Sequence, residues 1–331
     1  MKRIIKILAI IFIPVLIFYF WASSPSGKMD FKEGVESSGI MQAQMIKDSI
    51  AIMTFNLGYL SGMTNNRAID RDEELYATNM ERTKRLLQNR SIDIACFQEI
   101  DFNADRSFNI DQARTLYSSC LYRNYAWAVN WDKRYVPFPY WPPSNHFGSI
   151  LSGQAVLSQF EILEVSHIDL KKADHPFYYN AFYLDRLAQV VRINIYGREL
   201  VLINVHMEAF DAKNREEQME QLASLIDSYN EEPVVLLGDF NSTLPEAEFQ
   251  YEKEETMNIL RSLDYMKPAL PDSLYLKNES EYLTFNSEEP SIRIDYIFYD
   301  SRYLQMDHAR VLREAGSISD HLPIMAYLRF R

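Results

Sequence analysis

The chain has 331 residues, 47% of them hydrophobic and 24% charged, with only 10 Gly and 13 Pro. An apolar fraction of that size fills a large core, which excludes a disordered, collagen-like or low-complexity protein. Lys+Arg 34 against Asp+Glu 46 leaves a formal net charge of −12; this argues against gripping phosphate backbones by general positive charge, but not against an anionic substrate met by a bound divalent cation.

Lys2, Arg3 and Lys6 precede an apolar run over 7–22. A basic flank before such a run predicts a signal anchor over 1–22 that engages the membrane through residues 4–22. The catalytic part then lies on the exported side, periplasmic or extracellular. Cleavage after the run, giving a secreted protein, is the alternative. Residues 23–48 are rich in Ser, Gly, Lys and Glu without apolar periodicity and predict a flexible tether. From 49 to 331 there is no second linker or repeat, so a single large domain is expected, with no protein partner inferred. The two cysteines cannot build a disulfide framework, and no Cys/His spacing reads as a zinc site; export would still permit Cys96 and Cys120 to pair.

Apolar, β-branched runs predict strands at 50–55, 92–97, 187–195, 200–205, 234–237, 293–299 and 322–330, with a hairpin turn at Tyr196-Gly197-Arg198-Glu199. Apolar recurrence at three and four predicts helices at 75–88, 111–122 and 214–228. Many strands with a few amphipathic helices argue for sheets packed face to face and covered by helices.

The polar residues at strand ends carry the chemistry. Apolar strands run into Asn56, Glu99, His206, Asp239 with Asn241, and Asp320 with His321, and another carries Asp295 between Ile294 and Tyr296. A carboxylate flanked by Ile and Tyr is costly to desolvate unless it is paired or metal-bound. Asn56, Glu99 and Asp320 are hard oxygen ligands suited to Mg²⁺ or Mn²⁺. His321 suits a general base, with Asp295 to fix its tautomer. His206, Asp239 and Asn241 suit hydrogen bonds to a phosphoryl group as charge builds on it.

Thr54-Phe55-Asn56, Phe97-Gln98-Glu99-Ile100, Asn204-Val205-His206, Gly238-Asp239-Phe240-Asn241-Ser242, Arg293-Ile294-Asp295-Tyr296-Ile297 and Ser319-Asp320-His321-Leu322-Pro323-Ile324 resemble, in this order, the signature motifs of the endonuclease/exonuclease/phosphatase superfamily, which includes deoxyribonuclease-like and sphingomyelinase-like enzymes. Gly153-Gln154-Ala155-Val156-Leu157-Ser158 resembles its central strand motif. The resemblance spans about 50–330. It implies an α/β (α+β) four-layer sandwich, two packed mixed β-sheets flanked by helices, and Mg²⁺-dependent hydrolysis of phosphate esters. By motif, Glu99 with Asn56 and Asp320 would hold the metal. His321, oriented by Asp295, would act as base, and His206, Asp239 and Asn241 would bind the phosphate. Whether His321 or Asp239 takes the proton of water, and whether one or two metals act, stays open.

The substrate is expected to be a phosphate ester, either a nucleic acid or a phospholipid headgroup. A phosphodiesterase or nuclease is the first reading. A sphingomyelinase-like phospholipase C or inositol-phosphate phosphatase is the alternative, and a binding module without turnover a third. An aromatic, Pro-rich stretch over 125–147, taken as a loop, and a second cluster over 177–183 are the features outside the motifs. Arg186, His146 and Trp141 are the substrate-binding candidates there.

Overall fold

The structure, a computed structural model, describes residues 2–39, 46–248, 250, 253–277 and 279–331. Its helices are α1 (Lys2–Ser23), α2 (Glu73–Arg90), α3 (Gln112–Ser119), the single turn α4 (Phe177–Asn180) and α5 (Ala212–Ser228), with shorter turns after it. The strands are β1 (Glu33–Ser37), β2 (Ile50–Asn56), β3 (Ile94–Asp101), β4 (Asn124–Val136), β5 (Gly148–Ser158), β6 (Glu161–Asp169), β7 (Leu187–Ile195), β8 (Arg198–His206), β9 (Val234–Asp239), β10 (Met266–Pro268), β11 (Asp295–Asp300), β12 (Leu304–Val311) and β13 (Ile324–Phe330). Among the described residues they form a seven-stranded sheet, β1-β4-β5-β3-β2-β13-β12, and a six-stranded sheet, β10-β11-β9-β8-β7-β6. Packed face to face with helices outside, they make the expected four-layer α/β sandwich.

One parallel pair lies in each sheet, β2 with β3 and β8 with β9. A parallel pair needs a crossover, and α2 and α5 supply it. Each helix starts where an aspartate satisfies a free backbone amide: Asp72 accepts from the Leu75 N–H and Asp211 from the Asn214 N–H. These strands read as unbroken apolar runs because both their faces are covered. On β8, Leu200 and Leu202 join the core between the sheets, while Val201, Ile203 and Val205 face Met219, Leu222 and Ile226 of α5.

Four expectations change. The segment 23–48 is not a free tether where it is described: Glu33–Ser37 pairs antiparallel with β4, its backbone completing the sheet edge. Residues 40–45 lie outside the described residues. The aromatic stretch expected as a loop over 125–147 is a strand as far as Val136, with Tyr125, Trp131 and Val136 buried, so only 137–147 is loop. Cys96 and Cys120 are both free; Cys96 is buried in β3, and Cys120 ends α3. The residues expected to form the anchor are helical as α1, but among the described residues no helix is long and apolar enough to cross a membrane, so the structure lends the anchor no support.

Gly238 shows how closely the second parallel pair fits. It sits opposite Val205 with φ +141°, and a Cβ there would run into the Val205 carbonyl oxygen. Gly238→Ala is expected to lower stability by about 2–3 kcal/mol, read from the urea midpoint at unchanged m-value. An unchanged midpoint would mean that β8 and β9 separate at no cost.

Candidate active site

The seven-stranded sheet delivers Asn56 at the end of β2, Glu99 in β3, and Asp320 with His321 just before β13. The six-stranded sheet delivers His206 and Asp239 at the ends of β8 and β9, and Asp295 at the start of β11. The carboxyl ends of the two parallel pairs therefore meet at one edge of the sandwich, where open α/β sheets place ligands. Glu99 reaches this edge through a bulge: the β3–β5 register shifts between Phe97 and Ile100, and Glu99 has φ +48°. The extra residue re-aims the carboxylate out of the pleat. Asn241, two residues beyond β9, is also left-handed at φ +50°. Side chains held in such conformations cluster at functional sites.

The polar bonds at this edge run between the sheets. Asn56 Nδ2 donates to Asp239 Oδ2 at 2.8 Å, and His321 Nδ1 lies 3.0 Å from Asp295 Oδ2. The Asn241 N–H donates to Asp239 Oδ1 at 2.9 Å, and Phe285 packs on the His321 ring with centroids 4.9 Å apart. Asp239, Asp295 and His321 bring ligand atoms within 4.8 Å of one another. In this trio His321 Nδ1 is already taken by Asp295, so the geometry reads as a proton-holding unit ahead of a cation cage. The donor set better suited to a cation is the neighbouring pair. Asn65 Nδ2 donates to Glu99 Oε2 at 2.9 Å and lies 3.3 Å from Asp320 Oδ2. Two carboxylates drawn onto one neutral amide are short of positive charge, and a hard divalent cation fits that donor set.

The electrostatics separate the two histidines. Burial opposes charge on His321, but Asp295 and Asp239 outweigh it and carry its pKa well above the ordinary value. Burial holds His206 well below, with Arg186 and His321 adding to the effect. His206 Nε2 stands 3.7 Å from both Glu99 Oε1 and Asp239 Oδ2, and its buried Nδ1 has no hydrogen-bond partner. Burial raises Asp239 to about 7 against the pull of His321, and raises Glu99 with Asp320 adding. One imidazole kept charged and one kept neutral indicate different tasks.

The structure brings together Asn56, Glu99, His206, Asp239, Asn241, Asp295, Asp320 and His321. Asn56, expected as a metal ligand, has its Oδ1 accepting from the Gly58 N–H and its Nδ2 donating to Asp239. Arg186 lies beside the site, buried, with Nη2 donating to the Tyr183 hydroxyl at 2.8 Å, Nε 3.4 Å from Glu208 Oε2, and Nη1 without a partner. Among the described residues His146 and Trp141 make no hydrogen bond or ion pair with the cluster. His146 instead binds the Tyr135 hydroxyl and the Tyr140 carbonyl, and Trp141 is 77% exposed. Sequence reasoning missed Asn65, Glu208 and Phe285. Glu208 stands two residues past His206 and was within reach of the strand-end pattern; Asn65 and Phe285 lie in loops and carry no such signal.

The model of the Endonuclease/Exonuclease/phosphatase family matches residues 53–321. The chain belongs to the endonuclease/exonuclease/phosphatase family. It is 26% identical over 262 residues to a probable CCR4-Not complex 3′-5′-exoribonuclease subunit Ccr4 from Enterocytozoon bieneusi (strain H348), covering 70% of this chain and 52% of that protein. The chain thus spans about half the length of this curated relative. Among solved structures, an endonuclease/exonuclease/phosphatase from Beutenbergia cavernae is 17% identical with TM-score 0.61, covering 86% of this chain and 72% of that one. The human nocturnin catalytic domain with bound sulfate is 17% identical with TM-score 0.59, covering 91% and 97%. A mannosyl-6-phosphatase from Bacteroides thetaiotaomicron is 18% identical with TM-score 0.57, covering 85% and 100%. The structural likenesses extend the family's fold to this chain.

The opposed histidines are directly observable. In the metal-free protein, ¹⁵N spectra at pH ~6 should report His206 as a neutral ring, below the ordinary imidazole titration near 6.5. A protonated His206 at that pH would contradict the burial that the site is built on.

Proposed function

We propose that this chain hydrolyses phosphate esters, phosphodiesters first, by attack of water on phosphorus beside a divalent cation, Mg²⁺ or Mn²⁺. The observation that carries the reading is the convergence of the Glu99 and Asp320 carboxylates on Asn65, next to the Asp295–His321 pair. Glu99 and Asp320 would hold the cation, which when bound supplies charge neutralisation at the phosphoryl oxygens.

The remaining work falls to the protein's own groups. Asp295 fixes the His321 ring through Nδ1, leaving Nε2, 3.7 Å from Asp239 Oδ2, to exchange a proton with water. Asp239, poised near neutrality, is the second holder of that proton. His206 stays neutral and offers an N–H to the phosphoryl group, and the unpartnered Nη1 of Arg186 adds fixed positive charge. Asn56 and the Asn241 N–H hold Asp239 in line.

Nucleic acid as substrate is supported by the exoribonuclease relative. A lipid-headgroup diester is supported by the exposed rings of Trp141, Phe177 and Phe210. The basic flank of α1 supports placing the catalytic part on the exported side of a membrane.

The full-length protein should hydrolyse a chromogenic phosphodiester with Mg²⁺ and lose that activity in EDTA. His321→Ala should lower kcat by about 10²-fold or more, the usual scale for a lost acid–base group. Glu99→Gln should weaken Mn²⁺ binding, followed by electron paramagnetic resonance, about tenfold or more. Full turnover in EDTA, or wild-type turnover in a folded His321→Ala protein, would overturn the reading.

A further inference from the structure

Among the described residues, most apolar side chains of α1 from Ile10 onward are not covered by the rest of the protein. Ile10, Phe12, Ile13, Val15, Leu16 and Phe18 are all exposed. At about 100° per residue they point all round the helix and not along one stripe. A protein partner covers one face of a helix; a helix that is apolar on every side is suited to an apolar medium. Cations stand at both ends of this stretch. Arg3 and Lys6 are exposed at one end. At the other, Lys133 Nζ donates to the Ser23 carbonyl at 3.3 Å and Arg134 Nε to the Pro25 carbonyl at 3.1 Å. Basic groups flanking an apolar helix match the headgroup and acyl layers of a lipid surface.

The helix is also fastened to the site. Phe18 and Trp21 pack on Tyr135, with centroids 5.8 and 6.4 Å apart. Tyr19 packs on Phe177 and Phe182 at 6.2 and 5.6 Å. The next residue, Tyr183, receives the Arg186 hydrogen bond, and Arg186 pairs with Glu208, two residues past His206. Around this joint project the rings of Tyr140, Trp141, Phe177, Tyr178 and Phe210, each at least 59% exposed. The Tyr140 loop is held to the α1 contact through His146, which bonds both the Tyr135 hydroxyl and the Tyr140 carbonyl. Exposed Trp and Tyr beside an apolar helix with basic flanks are the side chains that settle at a membrane–water interface.

We propose that α1 and the loops carrying Tyr140, Trp141, Phe177 and Tyr178 form one lipid-binding surface that sets the mouth of the active site against a bilayer. The contact requires lipid around the exposed helix and under the rings; it does not require α1 to span. Its consequence for substrate rests on the phosphoesterase reading: the site then meets phosphate esters carried at a lipid surface before those free in solution. The overall charge of −12 does not oppose this, because the contact is apolar and its flanks are basic.

The test uses full-length protein with phosphatidylcholine vesicles whose acyl chains are brominated, since bromine quenches only tryptophans that reach the lipid. The emission lost on Trp141→Phe reports Trp141 alone. It should be quenched by about half or more in brominated against plain vesicles. Phe177→Ser with Tyr178→Ser should reduce that quenching, while turnover of the soluble chromogenic diester stays within about twofold, as for an exposed surface change. Failure of the protein to float with vesicles would overturn the proposal. So would quenching that persists in full in Trp141→Phe, because α1 alone would then meet the lipid. A protein quenched at Trp141 but inactive on the diester would refute the phosphoesterase reading and leave the surface standing; an active protein unquenched at Trp141 would do the reverse.

Discussion

The site depends on a seam of polar bonds between two sheets that are otherwise held by apolar contact. Asn56 to Asp239 and His321 to Asp295 each join a residue of one sheet to a residue of the other. Directly behind them Gln98 Nε2 donates to Asn204 Oδ1 at 2.6 Å, and Gln154 Nε2 to the Asn204 carbonyl at 2.9 Å, all three residues fully buried. Hydrophobic burial is non-directional and would tolerate one sheet sliding on the other. Buried amides are not so tolerant, because each displaced donor or acceptor loses its partner where no water replaces it. The same bonds that fix the sheets in register thus fix the distances among the polar groups of the site.

That arrangement accounts for how so many carboxylates are gathered in an apolar setting. Each has a different compensation. Asp295 is matched to His321, Asp239 is held by Asn56 and the Asn241 N–H, and Glu99 with Asp320 is met by neutral donors, the Asn65 amide and, on Asp320, the Ser319 hydroxyl. The last pair is the under-compensated one, and it is there that the proposed divalent cation would supply charge. Each histidine stands near two carboxylates, but His321 is hydrogen-bonded to one of them through Nδ1, whereas His206 stays 3.7 Å from both, buried near the Arg186 cation with its Nδ1 unpaired.

Much of this was legible in the sequence, for physical reasons that also mark where reading stopped. β2, β3, β8 and β9 stood out because burial on both faces makes their runs continuously apolar, and their strand ends carried the polar residues of the site. α2 and α5 were readable from periodicity, and aspartate caps close their starts within a few residues of expectation. β1 was not readable: Glu33–Ser37 has no apolar alternation and is a strand only because the edge of β4 is there to pair with. The Gln98–Asn204 contact joins residues 106 positions apart, and nothing local announces it. The bond from Asn56 to Asp239 was silent for the same reason, since the two residues lie 183 positions apart.

The seam and the rim are built from different parts of the chain. The polar groups of the site sit at strand ends that the core holds in place, while the rim comes from 137–147 and from the turn preceding β7. Such loops change without disturbing the packed sheets beneath them, so proteins about 17% identical keep this fold. In this chain the two parts meet at Arg186. Its Nη2 is bound to Tyr183 in the rim, its Nε faces Glu208 just past β8, and its charge reaches His206. The Tyr183 loop of the rim and His206 at the seam are thus joined through one guanidinium.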